Sequence, residues 1–245
     1  MNHTTHGIIL RTVKYGETSI IASVFTEIFG VQSYIVNGVR VSSKKGAGKA
    51  NLFQPAAILE LVVYHNEFKN LQRVREFKWA HIYEHIFFDV FKNSVALFMI
   101  ELLQRSLKQP EPNSDLFHFT EDAFLHLDKS PNNVVANFAL YFALHLSGFY
   151  GFRFADRYSE ALNFLDLKEG EFVSERPAHN FYLDEEHSKI ISQLLKVMQP
   201  AELAEIRLNQ ETRRNLLHAL ETFYALHIQD FGSLKTLPVL EAVLS

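Results

Sequence analysis

The sequence predicts an α+β fold in which a five-stranded barrel is followed by an all-helical part. Residues 7–77 contain five short β-rich runs and no stretch with clear helical spacing. After residue 80, apolar side chains recur at helical spacing over long runs. Of the 245 residues, 47% are hydrophobic, which is enough for one large core or two smaller ones.

The five predicted strands are rich in β-branched residues, or alternate between apolar and polar residues, and turn residues separate them. They cover residues 7–14, 18–26, 31–36, 52–64 and 71–77. Pro55 indicates an edge or a bulge near the start of the fourth strand. Five short antiparallel strands that close on themselves describe an OB-fold barrel, and an SH3-like barrel fits the pattern almost as well.

The second part is predicted to be helical, apart from an irregular stretch at 151–184. The predicted helices cover residues 80–90, 93–108, 116–127, 133–149, 184–198, 208–228 and 233–244. Asp184 is a suitable N-cap because Glu185 and Glu186 follow it in the first turn. We therefore expect two domains, the barrel at 1–79 and the helical domain at 80–245.

Charge is distributed unevenly between these two parts. Residues 1–80 carry ten Lys and Arg against five Asp and Glu, whereas residues 81–245 carry 14 against 23. A basic N-terminal part followed by an acidic C-terminal part is the pattern expected if the N-terminal part binds a polyanion. Small domains also differ in charge by chance, so the asymmetry alone does not settle the partner.

A basic loop is expected between the third and fourth strands. Residues 38–51 contain four cations, three glycines and no acidic residue. Small residues let a backbone approach phosphates, and Lys and Arg neutralise them. An ordinary solvated loop is the alternative interpretation. Tyr15, Tyr34 and Phe53 are candidate stacking platforms for unpaired bases.

Enzymatic interpretations find little support in the sequence. His81, Glu84 and His85 match the H-x-x-E-H pattern of a metal hydrolase, which requires the two histidines on one helix face. The pattern is short in a chain with 12 histidines, and it needs a distant third carboxylate ligand and a water-filled cleft, which a sequence does not show. Cysteine is absent, which excludes thiol catalysis, disulfides and thiolate metal sites. A protein-binding scaffold is a further alternative.

The start of the chain has none of the features of a secretory signal peptide. Its apolar stretches are short and interrupted by charge, so no membrane-spanning segment is expected. We therefore expect a cytoplasmic protein, and a nucleoid-associated one if it binds DNA.

Short motifs near both ends of the chain follow one another in the same order as in one known family. The first are IILRT at 8–12, YGETS at 15–19, FTEIFG at 25–30, GVR at 38–40 and LFQP at 52–55. The last are YALH at 224–227 and FGSLKTLPVL at 231–240. Their order and spacing resemble those of the RecO family of bacterial recombination mediators.

The resemblance implies a non-enzymatic protein that binds single- and double-stranded DNA and anneals complementary strands. It also implies RecR and the C-terminal tail of single-strand-binding protein as partners, and a role in loading the recombinase RecA. A basic barrel face suits such a backbone-tracking contact. The cations that we predict to contact DNA are Arg11, Lys14, Arg40, Lys44, Lys45, Lys49 and Arg73.

One departure from the family concerns a metal. Many members carry two Cys-x-x-Cys pairs that bind a structural zinc in the helical domain. The corresponding region here, near residues 150–185, has no cysteine. We therefore expect no cofactor and hydrophobic packing in that region.

Overall fold

The five β-rich runs close into a barrel in the computed structural model, which describes residues 2–40, 48–107 and 111–244. The strands are β1 (Asn2–Tyr15), β2 (Ser19–Thr26), β3 (Gly30–Val36), β4 (Ile58–Tyr64) and β5 (Leu71–Trp79). Their hydrogen-bonded order is β1-β2-β3-β5-β4, and β4 pairs with β1 to close the barrel. β3 and β5 run parallel, whereas the other neighbours are antiparallel. This order confirms the predicted OB-fold barrel.

The long strand β1 closes the barrel because it pairs with β4 through its first half and with β2 through its second half. Gly7 lies at the crossing, where it pairs with both Thr26 and Leu59. A Cβ atom at Gly7 would lie 2.6 Å from Cγ1 of Val24. Only glycine therefore fits at this point without a shift of the barrel wall.

The fourth strand begins later than predicted. Residues Lys49–Phe53 form a 3-10 helix, so the predicted strand at 52–64 is wrong over its first six residues. Phe53 is buried, and its carbonyl accepts a hydrogen bond of 2.7 Å from the Thr12 hydroxyl. Ala56 then adopts a φ of 72°, which is incompatible with a continuous strand.

Six α-helices and three short strands follow the barrel in the described part of the chain. The helices are α1 (Val90–Ser106), α2 (Ser114–Lys129), α3 (Asn132–Ser147), α4 (Glu185–Leu195), α5 (Gln210–His227) and α6 (Leu237–Val243). Asp184 and Asn209 cap α4 and α5, since each side chain accepts a backbone N–H of the first turn. The N-cap predicted at Asp184 is therefore confirmed.

The predicted helix at 80–90 is wrong, because this stretch is irregular and α1 begins only at Val90. The amides of His85 and Ile86 both donate to Oδ1 of Asp128 at 2.9 Å, instead of to carbonyls one turn earlier. Asp89 accepts the amide of Lys92 at 3.1 Å and thereby starts α1.

The chain forms two compact units. The first contains Met1–Glu84 and Leu107–Leu125, and the second contains His85–Ser106 and His126–Ser245. In the first unit, Phe117 of α2 lies against Phe25 of the barrel, with ring centroids 5.5 Å apart. α2 therefore covers part of the barrel wall with an apolar contact.

The core of the second unit is α3, which is buried on nearly all sides and contacts α1, α4 and α5. The predicted buried helix at 133–149 is thus confirmed. The prediction that this part is all-helical needs a correction. Three short strands, β6 (Phe164–Asp166), β7 (Glu171–Val173) and β8 (Tyr182–Leu183), form an antiparallel sheet in the order β7-β6-β8.

Candidate nucleic-acid interface

The outward sides of β1, β2, β3 and β5 form one continuous surface. In its first row, Arg11 pairs with Ser23, Ser23 pairs with Ser33, and Ser33 pairs with Leu71. Arg11 and Leu71 are exposed, and both serines are half-buried. The centre of the row is therefore low and hydroxylated, which leaves room for a ligand and offers it hydrogen bonds.

The second row lies beside the first and ends on a second arginine. Val13 pairs with Ile21, Ile21 with Ile35, and Ile35 with Arg73. We name these two rows the outer barrel face, which consists of Arg11, Val13, Ile21, Ser23, Ser33, Ile35, Leu71 and Arg73. Among the residues that the structure describes, neither Arg11 nor Arg73 forms an ion pair. Two unneutralised cations thus lie at opposite ends of an apolar and hydroxylated surface.

Arg40 is tied to the turn between β1 and β2. Its backbone N–H donates to the carbonyl of Thr18 at 2.9 Å, and its Nη1 donates to the carbonyl of Gly16 at 3.0 Å. These bonds hold the start of the basic loop beside this turn. They occupy part of the guanidinium and leave its other N–H groups to a ligand.

The remainder of the basic loop is only partly described. Lys49 is exposed at the start of the 3-10 helix. Lys44 and Lys45 lie outside the described residues, so their predicted contact with DNA stays a prediction.

The strand pairing separates Lys14 from Arg11 and Arg73. Because side chains alternate along a strand, Lys14 projects to the opposite side of β1 from Arg11. It pairs with Ile20, whose side chain belongs to the barrel core. Further along β5, Arg75 pairs with Glu76 at 3.2 Å and Lys78 with Glu60 at 2.9 Å. The outer barrel face therefore gathers Arg11 and Arg73 but not Lys14.

Two of the three predicted stacking platforms are wrong. Tyr34 and Phe53 are almost completely buried. Tyr34 faces the barrel interior with its partner Ala22, and the Phe53 ring packs edge-on against Phe77. Burial also raises the pKa of the Tyr34 phenol well above its ordinary value. Tyr15 is half exposed at the end of β1, so its ring remains accessible to a ligand.

An exposed aromatic side chain that sequence reasoning missed lies in the turn between β4 and β5. Phe68 is 96% exposed, more than any other large apolar side chain in the described part of the chain. The available signal was a single aromatic residue within the polar run at 65–70.

The H-x-x-E-H pattern does not form the expected helical site. His81 instead lies near Glu121 of α2, with Nε2 and Oε1 3.3 Å apart, and Nδ1 of His6 approaches the same oxygen at 3.3 Å. The described residues contain no group of three or more His, Asp or Glu arranged to hold a metal ion. The hydrolase alternative therefore gains no structural support. None of the described helices is long and apolar enough to cross a bilayer.

The strand order and the outer barrel face define the class: an OB-fold protein with an added, mainly helical unit. Two family models match the chain, "Recombination protein O N terminal" over residues 1–83 and "Recombination protein O C terminal" over residues 88–238. The chain belongs to the RecO family of DNA repair and recombination proteins.

Similar proteins span the full length of the chain. The DNA repair protein RecO of Phocaeicola vulgatus is 32% identical and covers 100% of both chains. Those of Bacteroides fragilis and Flavobacterium johnsoniae are 33% and 30% identical, over 98% and 100% of both chains.

Proposed function

We propose that this protein is a non-enzymatic recombination mediator that binds single- and double-stranded DNA and anneals complementary strands. With RecR as a partner, it helps to load RecA, and it binds the C-terminal tail of single-strand-binding protein. These roles place it in the cytoplasm with the nucleoid. Membership of the RecO family supports the proposal, as do the names of the relatives, which are DNA repair proteins.

The outer barrel face is the observation that carries the DNA-binding part of the proposal. In OB-folds, the surface of β2 and β3 and the adjoining loops bind oligonucleotides. Here Arg11 and Arg73 flank that surface, and neither has a carboxylate partner among the described residues. Each can neutralise a phosphate, while Ser23 and Ser33 between them can accept or donate hydrogen bonds. Such contacts follow a backbone and tolerate any sequence, as annealing requires.

The double variant Arg11→Ala/Arg73→Ala tests this proposal. We expect annealing of two complementary oligonucleotides, followed by energy transfer between end labels at subsaturating protein, to slow by about tenfold. The reason is that two phosphate contacts are lost. Their loss should also make the salt slope, the slope of log binding constant against log salt concentration for single-stranded DNA, shallower by about 1.4.

The matched control is Arg75→Ala/Lys78→Ala, which removes the same amount of charge, both from β5, the strand that carries Arg73. Both of these cations pair with carboxylates in the first unit, so we expect annealing near the wild-type rate. Equal slowing in both variants would indicate a general charge effect and contradict a site on the outer barrel face. Absence of DNA binding by the wild type would favour the protein-binding scaffold.

A further inference from the structure

Phe68 displays its whole ring to solvent on a turn of the DNA-binding unit proposed above. Its side chain is 96% exposed, so no other part of the first unit covers it. Isolated apolar side chains on a surface are common and carry no meaning by themselves. The support, position and charge of this turn are what distinguish Phe68.

The turn that carries Phe68 is held by a buried side chain. Gln72 is 3% exposed, and its Nε2 donates to the carbonyls of Asn66 and Lys69. Its Oε1 accepts the amide of Asn66 at 2.9 Å, and the Asn66 side chain accepts the amide of Phe68 at 2.9 Å. The backbone beneath the ring is therefore fixed before any ligand arrives, which lowers the entropy lost on binding.

A second contact holds the base of the same turn. The ring of His65 stacks on Phe29, with centroids 3.8 Å apart and planes 11° apart. Phe29 lies in the turn between β2 and β3, so the two turns support each other. The exposed ring thus projects from a supported turn with a defined position relative to the barrel.

The position of Phe68 is at one end of the outer barrel face. Leu71, three residues later, begins β5 and pairs with Ser33 in the first row of that face. Tyr15, half exposed, lies at the turn between β1 and β2. In OB-folds these two turns, with the β2 and β3 surface, are the elements that contact oligonucleotides. The face therefore has one exposed aromatic ring at each of the two turns.

The charge around Phe68 matches a nucleic acid backbone. Lys69 is adjacent and exposed, and Arg73 lies on the outer barrel face, while Glu67 is the one acid within the turn. A flat apolar ring beside cations is complementary to a ligand that presents both ring faces and phosphates. Only unpaired bases offer free faces, because duplex bases already stack on their neighbours.

We propose that Phe68 stacks on an unpaired base and thereby gives this protein a preference for single-stranded over double-stranded DNA. The inference rests on the DNA binding proposed above and adds to it the residue that recognises the strand as single. Because stacking uses the face common to all bases, it distinguishes single from paired strands without selecting a sequence.

The variant Phe68→Ala tests this inference with two probes, a thymidine oligonucleotide and an abasic oligonucleotide of the same length. We expect Phe68→Ala to bind the thymidine strand about tenfold more weakly than the wild type. It should bind the abasic strand and a duplex as the wild type does. The salt slope should stay unchanged, since no cation is removed. The separate variant Phe68→Trp, which keeps an aromatic ring, should bind the thymidine strand with wild-type affinity.

The control is Phe88→Ala, which removes another exposed ring, 81% exposed, from the second unit and should leave binding of all three probes unchanged. Wild-type affinity of Phe68→Ala for the thymidine strand would overturn the inference and indicate a protein contact instead. Equal weakening for the thymidine and abasic strands would also overturn it. Failure of the wild type to bind any probe would instead reject the proposed function itself.

Discussion

Replacing Glu101 with alanine is expected to lower the free energy of unfolding by about 3 kcal/mol, which corresponds to a thermal unfolding midpoint lower by roughly 6–12 °C. Glu101 joins α1 to the segment before α6, both within the second unit. Its Oε1 accepts from Nη2 of Arg105 at 2.9 Å and from the amide of Lys235 at 3.0 Å. Its Oε2 accepts the amide and the hydroxyl of Thr236, both at 2.8 Å.

The cost is large because the alanine variant leaves several donors without an acceptor. Lys235 and Thr236 lie directly before α6, so no preceding helical turn offers carbonyl acceptors to their amides. The Glu101 carboxylate accepts both amides instead. The Glu101 side chain is only 14% exposed, so water replaces the lost carboxylate poorly. An unsatisfied buried donor costs more than an average hydrogen bond contributes.

The stability contributed by Glu101 should depend on pH. Burial alone would raise the pKa of Glu101, but hydrogen bonds from Lys235, Thr236 and Arg105 outweigh burial and lower the pKa below its ordinary value of 4.5. The contribution is therefore present above pH 4.5 and is lost as the pH falls through the lower pKa of the folded state.

Chemical denaturation of wild type and Glu101→Ala between pH 7 and pH 3 measures this dependence. The difference between them should be constant near neutral pH and should shrink in acid. Glu160→Ala removes the same charge from an exposed position and is expected to change stability by less than about 0.5 kcal/mol. A Glu101→Ala protein as stable as the control would contradict this role.

Replacing Phe223 with alanine is expected to destabilise the second unit by about 3–5 kcal/mol. Its ring is fully buried and stacks on Phe154, with centroids 3.9 Å apart. Phe152 and His227 contact the same ring at centroid distances of 5.6 and 4.4 Å. The cluster joins α5 to the start of the region near 150–185, where the family resemblance implies a zinc site and this chain has no cysteine, so packing is expected to stabilise that region here.

The control for Phe223 is Leu226→Ala on the same helix, whose side chain is 38% exposed. It should cost much less, because no cavity forms at an exposed position. A chelator should leave the wild-type midpoint unchanged in the same denaturation experiment. A lower midpoint in chelator, or equal costs for both variants, would show that packing of Phe223 is not what stabilises this region.

The barrel was predictable because its signal is local. Alternation and turn residues mark strands within a few positions, and the closed β-sheet uses all five of them. The parallel pairing of β3 with β5 was not predicted, since pairing joins residues far apart in sequence. The sheet of β6, β7 and β8 was missed because strands of two or three residues are too short to show alternation.

The other wrong predictions depend on contacts between residues that are far apart in sequence, or on which side of a strand faces the barrel interior. The stretch at 80–90 has helical spacing, but its amides at His85 and Ile86 bind Asp128, more than 40 residues away. The prediction of Tyr34 as a surface ring is wrong because the strand pattern alone does not tell which side becomes the barrel interior. For the same reason, the sequence did not show that Lys14 and Arg11 project to opposite sides of β1. Composition predicted the basic character of the barrel, whereas the outer barrel face required the strand register.

Binding of a labelled single-stranded oligonucleotide across a salt series, followed by fluorescence anisotropy, tests whether the basic loop of the barrel binds DNA. The wild type should bind in a salt-sensitive manner. Lys44→Ala/Lys45→Ala/Lys49→Ala should bind more weakly, with a salt slope shallower by about 2.1, if each lysine neutralises one phosphate.

The control Lys129→Ala/Lys189→Ala/Lys196→Ala removes three exposed lysines outside the barrel and should match the wild type. We expect a shallower salt slope in the first variant and not in the control. Unchanged binding by that variant would move the DNA site away from the basic loop. A wild type that binds no DNA at low salt would contradict the mediator function altogether.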